Sequence, residues 1–113
     1  MKNELIEFSY YNDLYDLYKN LLTNKQKEIA DKYFIYNLSL SEIASDLDVS
    51  RSAINDLLKR VKLKLDNYEE KLKLNKKLEN IKEEINKLNL DEETKKKLIE
   101  VIYNGIWKFN RKI

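Results

Sequence analysis

Cysteine, histidine and proline are absent from this sequence, and glycine occurs once, at Gly105. Disulfides, thiolate nucleophiles and imidazole bases are therefore excluded, and the usual zinc sites lack their ligands. No metal or other cofactor is expected. There is no glycine-rich phosphate loop, and the neighbouring carboxylates Asp91, Glu92 and Glu93 suit the first turn of a helix, where the macrodipole favours negative charge. These absences argue against an enzyme. A β-rich protein of 113 residues would need turn glycines and prolines, so the expected fold class is all-α. No apolar run approaches the ~18 residues of a membrane span, and MKNELIEF lacks a signal-peptide core. The expectation is a cytoplasmic protein with no membrane partner.

What remains is apolar enough for a modest core, at 42% hydrophobic residues, while 37% are charged. That suits one domain, or a small domain with an appendage. The formal net charge of +2 says little alone, but its distribution is uneven. Residues 1–50 carry 5 basic and 9 acidic side chains. Residues 51–64 carry Arg51, Lys59, Arg60, Lys62 and Lys64 against Asp56 alone, a local net of +4. Residues 65–113 hold 12 basic and 10 acidic side chains. Positive charge is thus focused on one helical segment, where a groove-binding helix would need it.

A first helix is predicted from about Asn3 to Leu22, with Leu14, Leu17, Tyr18, Leu21 and Leu22 on one face and Phe8 and Tyr11 extending it. Tyr10, Tyr11, Tyr15 and Tyr18 crowd this segment. They suit the core edge with hydroxyls in water. An aromatic surface for bases or a protein is the other reading. Thr23 with Gln26 is a capping box that starts a second helix near Asn24. Its stripe is Ile29, Ala30, Tyr33 and Phe34, and Asn37 tolerates the left-handed conformation that ends it. Ser39 with Glu42 is a second capping box, for a helix over 40–47. Asp48, Val49 and Ser50 form a turn, and Ser50 caps a fourth helix from Arg51.

That fourth helix carries a seam of Ile54, Leu58, Val61, Leu65, Tyr68 and Leu72. The seam changes phase around Leu72 to Asn75, where a bend or break is expected. A second seam of Leu74, Leu78, Ile81, Ile85 and Leu88 follows. Asp91 caps a last helix lined by Leu98, Ile102, Ile106 and Phe109, with Trp107 nearby. The two seams are compatible with an intramolecular hairpin or with a homodimer through residues 61–88. The domain organisation is a helix-turn-helix domain over 1–72 and a helical extension over 73–113.

The stretch 40–59 has the layout of a helix-turn-helix. Ile43, Ala44 and Leu47 from one helix, Val49 from the turn, and Ile54 and Leu57 from the next would share an apolar kernel. Rotation by ~100° per residue from Ile54 turns Ser52, Asn55, Asp56, Lys59 and Lys62 outward. Arg51 and Ser52 lie at the end that leads into a major groove in this motif. Arginine pairs bidentately with guanine and asparagine with adenine, so Arg51 and Asn55 are candidates for base edges. Lys59 and Lys62 suit phosphates, which position without specifying sequence. The candidate DNA contacts are Arg51, Ser52, Asn55, Lys59 and Lys62. Asp56 on the same face would repel phosphate, or accept from a cytosine amino group. An interaction protein that reuses the fold is the competing reading.

Residues 21–74 resemble the YlxM family of small bacterial helix-turn-helix proteins. The resemblance lies in LLT-x-KQ at Leu21 to Gln26, SL-x-EIA at Ser39 to Ala44, VSR at Val49 to Arg51, and DNYEEKL at Asp66 to Leu72. The wider similarity is to the fourth region of bacterial sigma factors. Arg51 and Ala53 match the family's VSR-x-A pattern. Ser52 and Asn55 stand where the family commonly has glutamine and tyrosine. The resemblance implies a nucleic-acid-binding or regulatory protein acting on the signal recognition particle pathway, through DNA or through the particle's protein or RNA.

Overall fold

The computed structural model describes residues 2–112, and within them the side chains of residues 3–105. Six helices follow one another: α1 (Lys2–Tyr18), α2 (Asn24–Phe34), α3 (Leu40–Leu47), α4 (Arg51–Leu72), α5 (Leu74–Lys87) and α6 (Glu92–Lys112). No strand occurs among the described residues. The all-α expectation holds, and its cause is local. Both capping boxes are formed, Thr23 with Gln26 and Ser39 with Glu42, each with the side chain on the N3 amide and the return bond to the cap. Ser50 accepts from the Ala53 amide at 3.0 Å, and Asp91 from the Thr94 amide at 2.6 Å. Asn37 and Asp48 both adopt positive φ, at 55° and 54°, where a short polar side chain carries the least penalty for a residue other than glycine.

The first helix is shorter than its apolar pattern suggests. It gives way at Tyr18 to a 3₁₀ turn, Lys19–Leu21. Leu22 is extended and Thr23 must stand as an N-cap, so the helix cannot run through. Leu21 is consequently 46% exposed, whereas Leu22 stays in the core.

Two apolar clusters form around α4. One gathers Leu14, Tyr15, Leu17, Tyr18 and Leu22 with Ala30 and Phe34 of α2, Val61 and Leu65 of α4, and Leu78 of α5. The other, under the turn, holds Ile29, Ile43, Ala44, Ile54 and Leu58. Leu57 and Tyr33 touch both, so the two clusters are continuous. The first seam is therefore used inside the chain as far as Tyr68, and Leu72 lies 45% exposed beyond it.

Two of the four clustered tyrosines depart from the expected core edge with wet hydroxyls, while Tyr10 is 40% exposed and Tyr11 half-buried. Tyr15 and Tyr18 are 0% and 1% exposed. The Tyr15 hydroxyl donates to the Asp31 carboxylate of α2 and that of Tyr18 to Glu69 of α4 at 2.6 Å, while Tyr11 donates to Asp66 at 2.8 Å. A buried phenol needs a partner, and a carboxylate on the facing helix is a strong one. Burial, then these carboxylates, push the Tyr11 hydroxyl up to about 12 and raise Tyr15 and Tyr18 as well. A raised pKa means the folded state holds these protons more tightly than the unfolded chain does. Their stabilising contribution is complete below the ordinary tyrosine value of ~10 and is lost as pH rises through the folded values. Titration monitored by tyrosinate absorbance and circular dichroism should show the two signals changing together above pH ~10. Ionisation of all eight tyrosines with the helical signal intact would contradict this.

Between α4 and α5 the chain breaks where the seams change phase. Lys73 sits in the left-handed region at φ 56° and caps nothing with its side chain. Glu69 replaces it. Its carboxylate accepts from the amides of Asn75 at 3.0 Å and Lys76 at 3.1 Å, while the Tyr18 hydroxyl accepts from Leu74 at 3.1 Å. Groups from α1 and α4 thus satisfy the first amides of α5 and fold it back onto α1. On α6, Ile102 and Tyr103 pack against the main cluster, whereas Leu98, an expected lining residue, is 40% exposed. Ile99, one position on, is half-buried in its stead. The side chains of Ile106, Trp107 and Phe109 lie outside those described.

Candidate nucleic-acid interface

The arrangement of α3 and α4 rests on the turn between them. Asp48 takes the left-handed cap, and the Val49 amide reaches back to the Ala44 carbonyl at 3.0 Å. These are the bonds of a Schellman ending. Ala44 is small where the helices approach, and Ile43 and Ile54 are fully enclosed. Val49 is 47% exposed, so the turn contributes less to the kernel than its sequence suggests, and Leu58 is fully buried where Leu57 is only partly so. The Lys32–Asp46 ion pair, at 2.7 Å, ties α2 to the far end of α3.

With that frame set, each expected contact residue has a definite place. Arg51 and Ser52 are exposed, and Asn55 is half-buried. With Leu40 at the start of α3 these three line an open concavity at the N-terminal end of α4. Lys59 is exposed one turn further along. Lys62 lies elsewhere. Its ammonium is 3.6 Å from Glu7 and sits over the Tyr11 and Tyr33 rings, at 5.3 and 5.9 Å from their centroids. It therefore braces α4 against α1. Lys64 is likewise held, donating to Gln26 of the first capping box at 3.0 Å.

The basic segment therefore divides. Lys62 and Lys64 are tied to α1 and α2, while Arg51, Lys59 and Arg60 are exposed and have no carboxylate partner among the described residues. Arg60 is an exposed cation that the candidate contacts left out, although rotation from Ile54 turns it about 120° from the buried centre and was signal enough. Asp56 is exposed midway between Ser52 and Lys59. Two turns on, the same face carries Leu63 at 68% exposure. No group of three or more carboxylate, histidine or cysteine side chains able to hold a metal ion occurs among the described residues. Nor is any described helix long and apolar enough to cross a membrane.

A capped helix, a left-handed turn and a second helix with an outward polar end define a helix-turn-helix protein, and comparison with known proteins specifies which kind. The model of the family described as "Putative helix-turn-helix protein, YlxM / p13 like" matches residues 5–104, and the chain belongs to that family. It is 48% identical to the UPF0122 protein YlxM of Bacillus subtilis over 77 residues, covering 68% of this chain and 70% of that one. A UPF0122 protein of Caldanaerobacter subterraneus is 44% identical over 82 residues, covering 73% and 70%. A third, from Thermoanaerobacter, is 41% identical over 96 residues, covering 85% and 76%. No solved structure matches the chain. The family is a helix-turn-helix family rather than an enzyme family.

Proposed function

We propose that this protein is a cytoplasmic, non-enzymatic regulator that binds duplex DNA through the N-terminal half of α4. The observation that carries the reading is the outward, unpaired set of Arg51, Lys59 and Arg60 beside the Arg51–Ser52–Asn55 concavity. Arg51 and Asn55 have the chemistry for base edges, and Lys59 and Arg60 for phosphates. Residues 1–72 form the reading domain in this proposal and residues 73–113 the extension that braces it. Lys62 contributes to binding only if it exchanges Glu7 for a phosphate. The regulated genes are those of the signal recognition particle pathway, and a pair of copies acting on two half-sites belongs to the same reading.

Electrophoretic mobility shifts on duplex selected from a random pool test it. Arg51→Ala should weaken binding about tenfold to a hundredfold and relax preference at one position, the ~1–3 kcal/mol of a bidentate base contact. Lys59→Ala should weaken all sequences alike and flatten the salt dependence by about one unit of slope. No duplex binding by the wild-type protein at low salt would overturn the reading.

Asp56 and the exposed Leu63 on the same face of α4 favour a second reading, in which this helix contacts the signal recognition particle's protein or RNA. Apolar and acidic residues in the middle of a phosphate-facing surface are unfavourable, yet both are ordinary in a protein interface. Failure of the particle's protein and RNA to be retained on immobilised protein would exclude it.

A further inference from the structure

The outward face of α4 has a centre line as well as two flanks. Ile54 is its buried centre, at 1% exposure. Rotation by ~100° per residue sets Asp56 ~200° from Ile54 in one direction and Ser52 ~200° in the other. These two exposed residues therefore stand either side of the line directly opposite the core. Asn55 and Arg60, at ~100° and ~120°, lie on the flanks. A recognition helix lies in the major groove with its N-terminal residues against base edges. Its centre line then reaches the floor of the groove, and its flanks meet the walls.

Asp56 serves none of the local purposes of a helical carboxylate. It lies beyond the first turn of α4, where the macrodipole would favour negative charge, and the cap is Ser50. Lys59 and Arg60 follow it at the three- and four-residue spacings of a helical ion pair, yet neither pairs with it. Further along α4, Asp66 and Glu69 are engaged by Tyr11 and Tyr18. Asp56 is the one acidic residue in the basic segment 51–64, and it stands at the centre of that segment's outward face without a partner.

We propose that Asp56 selects a base, accepting from the amino group of a cytosine on the floor of the major groove. This rests on the duplex-binding reading above and adds which base is chosen and by what group. A carboxylate can only accept. Guanine presents two acceptors in the groove, thymine an acceptor and a methyl, and adenine an acceptor beside its amino group. Cytosine alone presents a donor with no acceptor next to it. The same carboxylate is repelled by backbone phosphates, so it penalises every register that sets no cytosine against it. Lys59 and Arg60 attract any duplex, and Asp56 restricts which sequence is held.

Binding of the full chain to the selected duplex, with each base pair changed in turn, tests the proposal. The wild type should prefer cytosine at one position by about tenfold. Replacing that cytosine with a pyrimidinone that lacks only the exocyclic amino group should cost the wild type the same factor and Asp56→Ala nothing. Asp56→Asn should move the preference there toward adenine, which an amide pairs bidentately. Both variants change an exposed helical position and should fold as the wild type does. Uniformly tighter binding of Asp56→Ala to every duplex, with preferences unchanged, overturns the proposal, because the carboxylate then only repels phosphate. Indifference of the wild type to the missing amino group overturns it as well and leaves the duplex reading standing. Absence of any duplex binding overturns both.

Discussion

Tyr15→Ala is expected to cost about 3–5 kcal/mol, the range for emptying a large aromatic site in a core. The ring is 0% exposed, stacked on Phe34 at 5.1 Å between centroids, and central to the cluster that joins α1, α2, α4 and α5. A domain of this size is stable by only ~5–15 kcal/mol, so the variant should be largely unfolded well below the wild-type midpoint in urea. Tyr15→Phe separates the ring from its hydroxyl. It keeps the packing but leaves the Asp31 carboxylate without its donor, which should cost about 1–3 kcal/mol. Reversing the order, with Phe worse than Ala, would show that the Asp31 bond and not the ring holds α1 to α2. Equal stability of both variants and the wild type would refute the packing described.

Glu69→Ala should release α5 from α4 while leaving the helix-turn-helix folded. Its carboxylate receives the Tyr18 hydroxyl and the Asn75 and Lys76 amides, so three donors lose an acceptor together. These groups are only part-buried, and water can replace some of the bonds; about 2 kcal/mol is the expected loss, from net values of ~0.5–1.5 per bond with more for charged acceptors. Hydrogen exchange distinguishes this from a general destabilisation. Amides at the start of α5 should exchange faster, while those of α2 and α3 keep their protection. Uniform acceleration across the chain would mean that the junction is not a separate element. Glu69→Gln retains acceptor oxygen and should lie between the two.

The element boundaries were legible from the chain because their causes are short-range. Ser39 with Glu42, Ser50 with the amide of Ala53, and Asp91 with that of Thr94 each act across three residues, so composition at fixed spacing predicts them. Asp48 was readable as the left-handed turn residue for the same reason. The break at Lys73 was announced by a phase shift in the seam, although lysine itself has no preference for that conformation. Its support comes from Tyr18 and Glu69, residues of α1 and the preceding turns of α4. Asn55 was placed on the outer side of α4 by rotation from Ile54, and Arg51 by its position at the start of the helix.

Which polar side chains are free was a different matter. Lys62 looked like an outward cation by helical rotation, yet Glu7, Tyr11 and Tyr33 engage it from α1 and α2. Lys64 is engaged by Gln26, 38 positions away in the chain, and Tyr18 by Glu69, 51 positions away. Periodicity assigns a direction about one helix axis; it carries no information on which neighbour stands in that direction. The capped helix starts and the turn at Asp48 follow from bonds that close within a few residues, and the amino-acid order sufficed for them. The split of five clustered cations into two structural braces and three outward charges depends on how α1 and α2 pack against α4, and that is decided only in three dimensions.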